Sequence, residues 1–152
     1  MTFEEILARD GTLVYKTKGK SMQPMLKENR DLVTVTVPHG RLQPYDVALY
    51  RRGKNCVLHR VIRVKADHYL IRGDNTFEWE TVRDEDVIGV LTGFQRKGKP
   101  HSVSDRGYRL YARVWNALYP LRYGWFRCRR LLVRVLEKLG LLQFVKRMLH
   151  RS

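Results

Sequence analysis

The run Cys56-Val57-Leu58-His59-Arg60-Val61-Ile62-Arg63-Val64 decides the fold class. Its β-branched residues stand among polar ones, the texture of a strand in a pleated sheet. The two-residue period puts His59 on one face with Leu58 and Arg60 on the other. Comparable runs lie on both sides: Leu32 to Val37, Asp46 to Tyr50, His68 to Arg72 and Val87 to Leu91. Gly, Pro, Asn and Asp punctuate them at short intervals, so the expectation is a mainly β protein built on a compact antiparallel β-domain. Upstream, Thr2 to Ala8 reads as a short helix, with Thr2 as N-cap, Glu5 at capping-box spacing, and Phe3, Ile6 and Leu7 on one apolar face. Asp10-Gly11 ends it, and Thr12 to Lys18 reads as a strand leading into a turn.

After Arg96-Lys-Gly-Lys-Pro100 the composition changes. Arginine and aromatic residues accumulate from Arg106 onward, where Glu137 is the single acidic residue. Tyr108 to Leu118 and Trp125 to Leu149 are expected as helices, separated by Tyr119-Pro120 and Tyr123-Gly124, with Gly140 a weak point in the second. Leu131, Leu132, Val135, Leu136, Leu139, Leu142, Val145 and Leu149 recur at helical spacing, while Arg127, Arg130, Arg134 and Lys138 take much of the other side. The predicted organisation is a β-domain over residues 1–98 and a basic amphipathic α-helical extension over 99–152. The extension has three readings: packing on the β-domain, lying in a membrane interface, or binding a partner helix. Its arginines and aromatics favour the interface of an anionic membrane surface. Nucleic acid is disfavoured as a partner, because no groove-reading motif is present.

Three segments, in chain order, carry residues suited to peptide hydrolysis: Gly19-Lys20-Ser21-Met22-Gln23-Pro24, Leu58-His59-Arg60-Val61-Ile62 and Arg72-Gly73-Asp74-Asn75. A serine hydroxyl is a weak nucleophile at neutral pH and needs a base within hydrogen-bond reach. An imidazole titrating near neutrality is the commonest one. Ser21 is therefore the candidate nucleophile and His59 the candidate base. Met22 is expected to fill an apolar pocket beneath the serine, and Pro24 to stiffen its turn. Each residue alone has an ordinary alternative: a turn serine, a half-buried strand histidine, and an aspartate whose side chain caps a Gly-Asp-Asn turn. Arg60 is structural or substrate-facing, since a guanidinium stays protonated and cannot act as the base. His39, His68, His101 and His150 lack such company and read as ordinary, and Asp31 and Asp46 read as turn caps.

The three segments together resemble the serine, general-base and acidic boxes of the signal peptidase I and SOS-repressor peptidase superfamily. They occur in the family's order and at similar spacing. The resemblance extends from about Glu4 to about Phe94 and takes in Asp31-Leu-Val-Thr-Val and Pro44-Tyr-Asp-Val-Ala-Leu-Tyr50. A histidine at the base position is the mark of the endoplasmic-reticulum and archaeal-type branch; the bacterial membrane-bound enzymes have lysine there. That branch also carries an acidic residue six positions after its box aspartate, which here is Glu80. The resemblance implies a serine endopeptidase of signal-peptidase-like fold, with Ser21 and His59 catalytic and Asp74 or Glu80 orienting the ring. It implies an oxyanion donor in the Ser21 backbone N–H with a neighbouring group. Its substrates would be extended peptides or preproteins with small side chains near the cut, as in leader or signal-peptide processing. The chain departs from the pattern at Arg30 and Tyr45, where the family has glycine, and this bears on turn geometry rather than chemistry.

At 152 residues, with 30 Lys+Arg against 15 Asp+Glu and a net charge of +15, the chain is long enough to bury a core and is drawn to anionic surfaces or acidic peptides. Cys56 and Cys128 stand far apart with no zinc spacing, and are expected as two buried thiols, with one disulfide between them the lesser alternative. Neither metal nor organic cofactor is implied. The opening Met1-Thr-Phe-Glu-Glu-Ile-Leu is neither a secretory signal nor an anchor, which is the largest departure from signal peptidase I. The expected location is cytoplasmic, with peripheral attachment to the inner face of the membrane if the extension binds lipid. The rival reading is a non-catalytic peptide-binding or regulatory module, docked to membrane or partner by the same helices.

Overall fold

The computed structural model describes residues 2–138. It has two compact units, one through Asn116 and one from Ala117 onward.

The first unit is mainly antiparallel β. It opens with α1 (Phe3–Asp10), whose Thr2 and Glu5 form the expected capping box and whose C-cap, Gly11, sits at φ 68°. The strands are β1 (Thr12–Lys16), β2 (Leu32–Thr36), β3 (Val47–Arg52), β4 (Asn55–Val64), β5 (His68–Arg72), β6 (Glu80–Arg83), β7 (Val87–Arg96) and β8 (Lys99–Ser102). They form one sheet in the order β1-β2-β7-β3-β4-β5-β6, with β8 paired to β7. The helix α2 (Arg106–Ala117) follows.

Alternation along the central strands builds two cores. On β3, Val47 and Leu49 join Leu13, Val33, Leu58, Leu91 and the 22–26 turn in one cluster, while Ala48 and Tyr50 join Val61, Ile71 and Val82 in the other. All four of these β3 residues are buried, so this strand is sandwiched on both faces. The run from Val57 to Val61 behaves as its pattern predicts, with Leu58 facing the first cluster and Val57 and Val61 the second; a register shift between Val61 and Arg63 then brings Val64 to the second cluster as well.

Two strands were not expected. Lys99–Ser102 pairs with β7 across a turn at Lys97 and Gly98, both at positive φ, so the basic Arg96–Pro100 stretch is a hairpin rather than a boundary in composition alone. The other is β6, which Glu80 opens. The cysteine expectation is corrected as well: Cys56 and Cys128 are both free and exposed. Cys56 lies near the tip of the β3–β4 hairpin, and no described residue of the helix that carries Cys128 is buried.

The second unit is described as one helix, α3 (Tyr119–Lys138). It starts at the first predicted break, Tyr119-Pro120, after α2 has ended at Ala117, and runs through the second, Tyr123-Gly124. Pro120 falls in the first turn, where its missing N–H has no intrahelical partner to lose, and Gly124 costs an internal position only about 1 kcal/mol. Leu121, Trp125, Leu132 and Val135 are exposed and recur at i, i+4, i+11 and i+14, a single apolar stripe. Arg127, Arg130 and Arg134 lie away from it. Leu139, Gly140, Leu142, Val145, Leu149 and His150 lie outside the described residues. No described helix is long and apolar enough to cross a membrane.

Candidate active site

A cleft of about 1070 Å³ in the first unit brings together four of the residues singled out from the sequence: Ser21, Met22, His59 and Glu80. It is lined by the segment from Tyr15 to Met22, the hairpin and strand from Arg51 to His59, and part of α1. Strands β1 and β4 stand four places apart in the sheet, so the sheet must curl for both to reach one cleft.

His59 is set by register. It lies opposite Ala48 on β3, on the face shared by Tyr50 and Val61. Val61 pairs with Ile71, and Ile71 with Glu80, so Glu80 stands in the cross-strand row of Val61, two residues along β4 from His59. This places Glu80 Oε1 3.0 Å from His59 Nδ1. The Tyr50 hydroxyl lies 3.1 Å from the same nitrogen. Arg52 Nη1 donates to both Glu80 oxygens at 3.2 and 3.3 Å. A carboxylate only accepts, so Glu80 favours the proton on Nδ1 and leaves the lone pair on Nε2.

The histidine is 4 % exposed. Burial holds its pKa below the ordinary value, and the Glu80 carboxylate offsets part of that effect while Arg52 adds to it. The ring is therefore neutral at pH 7, the form a general base requires. Burial, reinforced by Glu80, keeps the Tyr50 phenol well above its ordinary pKa, so it stays protonated.

Ser21 sits half-buried in a turn spanning residues 21–25, above the buried Met22. Among the described residues neither Ser21 Oγ nor His59 Nε2 has a hydrogen-bond partner, so the two are not bonded to each other. Nucleophile and base contacts are often loose before substrate binds and tighten in the complex. The Ser21 N–H likewise makes no hydrogen bond among the described residues and is available as an oxyanion donor.

The serine turn is held by the 73–75 turn. The Asn75 N–H donates to the Ser21 carbonyl at 2.7 Å, and Asn75 Nδ2 donates to the Lys20 carbonyl at 3.2 Å. Gly73 packs so closely that an added Cβ would lie 2.7 Å from the Ser21 carbonyl oxygen.

Asp74 anchors that turn. Its carboxylate accepts two hydrogen bonds from Arg60, from Nε and Nη2 at 2.8 Å each. Tyr111 donates its hydroxyl to the same carboxylate at 2.9 Å, and Trp115 Nε1 donates to the Asp74 carbonyl at 2.8 Å. Arg60 also donates to the Tyr45 carbonyl and the Tyr108 hydroxyl. Burial opposes the charge on Arg60, but the Asp74 carboxylate outweighs it and holds the guanidinium pKa above its ordinary value. Arg60 has 0 % exposure, so its substrate-facing reading is corrected to the structural one: it is the buried partner of Asp74. Of the two carboxylates weighed for orienting the ring, Glu80 stands at Nδ1, and Asp74 braces the serine turn through Arg60 and α2. Pro24 is exposed and does not line the cleft.

Sequence reasoning missed Tyr50, Arg52 and the α2 aromatics. Tyr50 carried a legible signal, since it lies two residues on from Ala48, the residue opposite His59 when Gly53-Lys54 forms a two-residue β3–β4 turn. Nothing in the sequence marks Tyr108, Tyr111 and Trp115 as the far side of the Asp74 anchor. Tyr45 takes φ 78°, in the left-handed region that favours glycine. No family model matches the chain, and no curated protein is significantly similar to it.

Proposed function

We propose that this protein is a serine endopeptidase similar to the Ser-His branch of the signal peptidase I and SOS-repressor peptidase superfamily. The observation that carries the reading is the pairing of a buried, neutral histidine, its Nδ1 against Glu80, with Ser21 in the same cleft. In this reading His59 Nε2 takes the proton as Ser21 Oγ attacks the scissile carbonyl. The Ser21 N–H supports the oxyanion, and Nε2 returns the proton to the leaving amine. Glu80 stabilises the imidazolium that forms between these steps, with Tyr50 holding the pair in register. Water then hydrolyses the acyl-enzyme, with His59 acting again as base. The substrate is a peptide or preprotein, and leader or signal-peptide processing fits the resemblance.

Attachment to an anionic membrane surface is the second part of the proposal. The apolar stripe of α3 is exposed, and Arg122, Arg127, Arg129, Arg130, Arg134 and Lys138 stand against Glu137 alone. This composition suits a helix lying at the headgroup level of an anionic bilayer. The corresponding location is the cytoplasmic face of a membrane.

The test is a survey of new peptide N-termini in cells of the source organism, comparing the wild-type protein with Ser21→Ala at matched expression. Termini that vanish in the variant support proteolysis. Identical sets of termini, with both proteins folded, favour the non-catalytic peptide-binding module.

A further inference from the structure

The cleft around Ser21 and His59 carries an excess of cationic side chains. Lys16, Lys18 and Lys20 come from the segment that runs into Ser21, and Arg51, Arg52 and Lys54 come from the β3–β4 hairpin. The carboxylates on the same lining are Glu4, Glu78 and Glu80. Glu4 is taken by Arg51 at 2.9 Å and Glu80 by Arg52 at 3.2 Å. Lys16, Lys18, Lys20 and Lys54 remain, all exposed and without an ion pair among the described residues, with Glu78 as the remaining counter-charge on the lining. Like charges gathered on one concave surface repel one another and focus a positive potential into the cleft. An anionic ligand relieves that repulsion.

The floor of the cleft is of different character. Tyr15, Met22, Leu26 and Leu58 supply an apolar base beneath the lysines. A peptide chain with small or apolar residues at the cut and carboxylate side chains beside it matches both the floor and the rim. A nucleic-acid backbone or a lipid headgroup matches the rim alone.

We infer that the cleft selects acidic peptides, with Lys16, Lys18, Lys20 and Lys54 reading Asp or Glu side chains that flank the scissile bond. The inference rests on the peptidase reading for the words "scissile bond" but not for the ligand chemistry. The lysines act as point charges on flexible stems, so they recognise net negative charge near the cut rather than one fixed carboxylate position.

The test uses the intact chain carrying Ser21→Ala, immobilised and exposed to a randomised peptide pool, with the retained peptides sequenced by mass spectrometry. Asp- and Glu-rich peptides are expected to be retained about tenfold over their Asn and Gln counterparts, equivalent to about 1.4 kcal/mol. The preference should vanish when Lys16, Lys18 and Lys20 are changed to Gln. It should also fade as salt rises, because exposed charges are screened beyond about 8 to 10 Å at physiological ionic strength. Retention without acidic enrichment overturns the inference. So does loss of peptide retention to competing oligonucleotide or anionic vesicles with no acidic preference among the peptides. Digestion of the same pool by the wild-type protein separates the two claims. Cutting without acidic preference keeps the peptidase and removes the inference; acidic retention without cutting keeps the ligand class and removes the peptidase.

Discussion

Glu80 Oε1 lies 3.0 Å from His59 Nδ1, across a row of the sheet that runs from β4 through β5 to β6. The contact fixes the tautomer in which Nε2 carries the lone pair. Glu80→Gln keeps the shape and removes the charge, so it is expected to lower kcat by about 10²-fold or more with little change in KM. The pH profile gives an independent readout. The depressed His59 pKa puts the acid limb of kcat/KM below about 6.5, with activity rising as the ring loses its proton. Glu80 raises that pKa, so Glu80→Gln moves the limb to lower pH; Arg52 lowers it, so Arg52→Gln moves the limb to higher pH. The same depression links to stability: the contribution of neutral His59 is present above its unfolded value, about 6.5, and is lost on acidification. Limbs that do not move in opposite directions would remove Glu80 from the role given to it.

The Arg60–Asp74 pair is wholly buried and bidentate, so its loss by halves is expensive. Asp74→Ala leaves an uncompensated guanidinium in the core and is expected to cost about 3 to 5 kcal/mol in chemical denaturation. The double variant Arg60→Met with Asp74→Leu removes both charges and is expected to cost less than the single change. A double variant less stable than Asp74→Ala would contradict this.

Gly73 has no room for a side chain against the serine turn. Gly73→Ala sets a methyl against the Ser21 carbonyl and Thr76 Oγ1, and is expected to cost about 1 to 3 kcal/mol as the turn shifts. Because the displaced atoms belong to the residue beside the oxyanion site, kcat should fall more than the stability loss explains. Full activity in a folded variant would show that the 73–75 turn does not set the position of Ser21.

The α3 stripe makes a separate prediction. Co-sedimentation with vesicles rich in anionic lipid should retain the protein, and neutral vesicles should not. Trp125→Glu with Leu132→Glu should abolish retention while leaving activity on a soluble peptide unchanged. Retention on neither kind of vesicle would point to a protein partner instead, and equal retention on neutral vesicles would remove the role given to the arginines.

How much of this was legible in the sequence depends on the range of the interaction involved. Strands such as Cys56 to Val64 declare themselves through local alternation, and the Thr2–Glu5 capping box is a four-residue motif, so both read directly. The brace on the serine turn does not, because it joins Asp74 to Arg60 14 residues away and to Tyr111 and Trp115 37 and 41 residues away. Glu80 could be picked out only by its spacing from Asp74; its hold on His59 depends on β6, a strand too short and too polar to show a pattern. Burial is the expectation for Cys56 and Cys128 because thiols usually are buried, but one lies near a hairpin tip and the other on a helix with no buried described residue.

The most direct test of the account is digestion of a proteome-derived peptide library by the purified protein, with cut sites read by mass spectrometry for the wild type, Ser21→Ala and His59→Ala. The account predicts a recurring cut-site pattern for the wild type that both variants lose while remaining folded. Cleavage that persists in Ser21→Ala, or a wild-type protein that cuts nothing in the library, would contradict it.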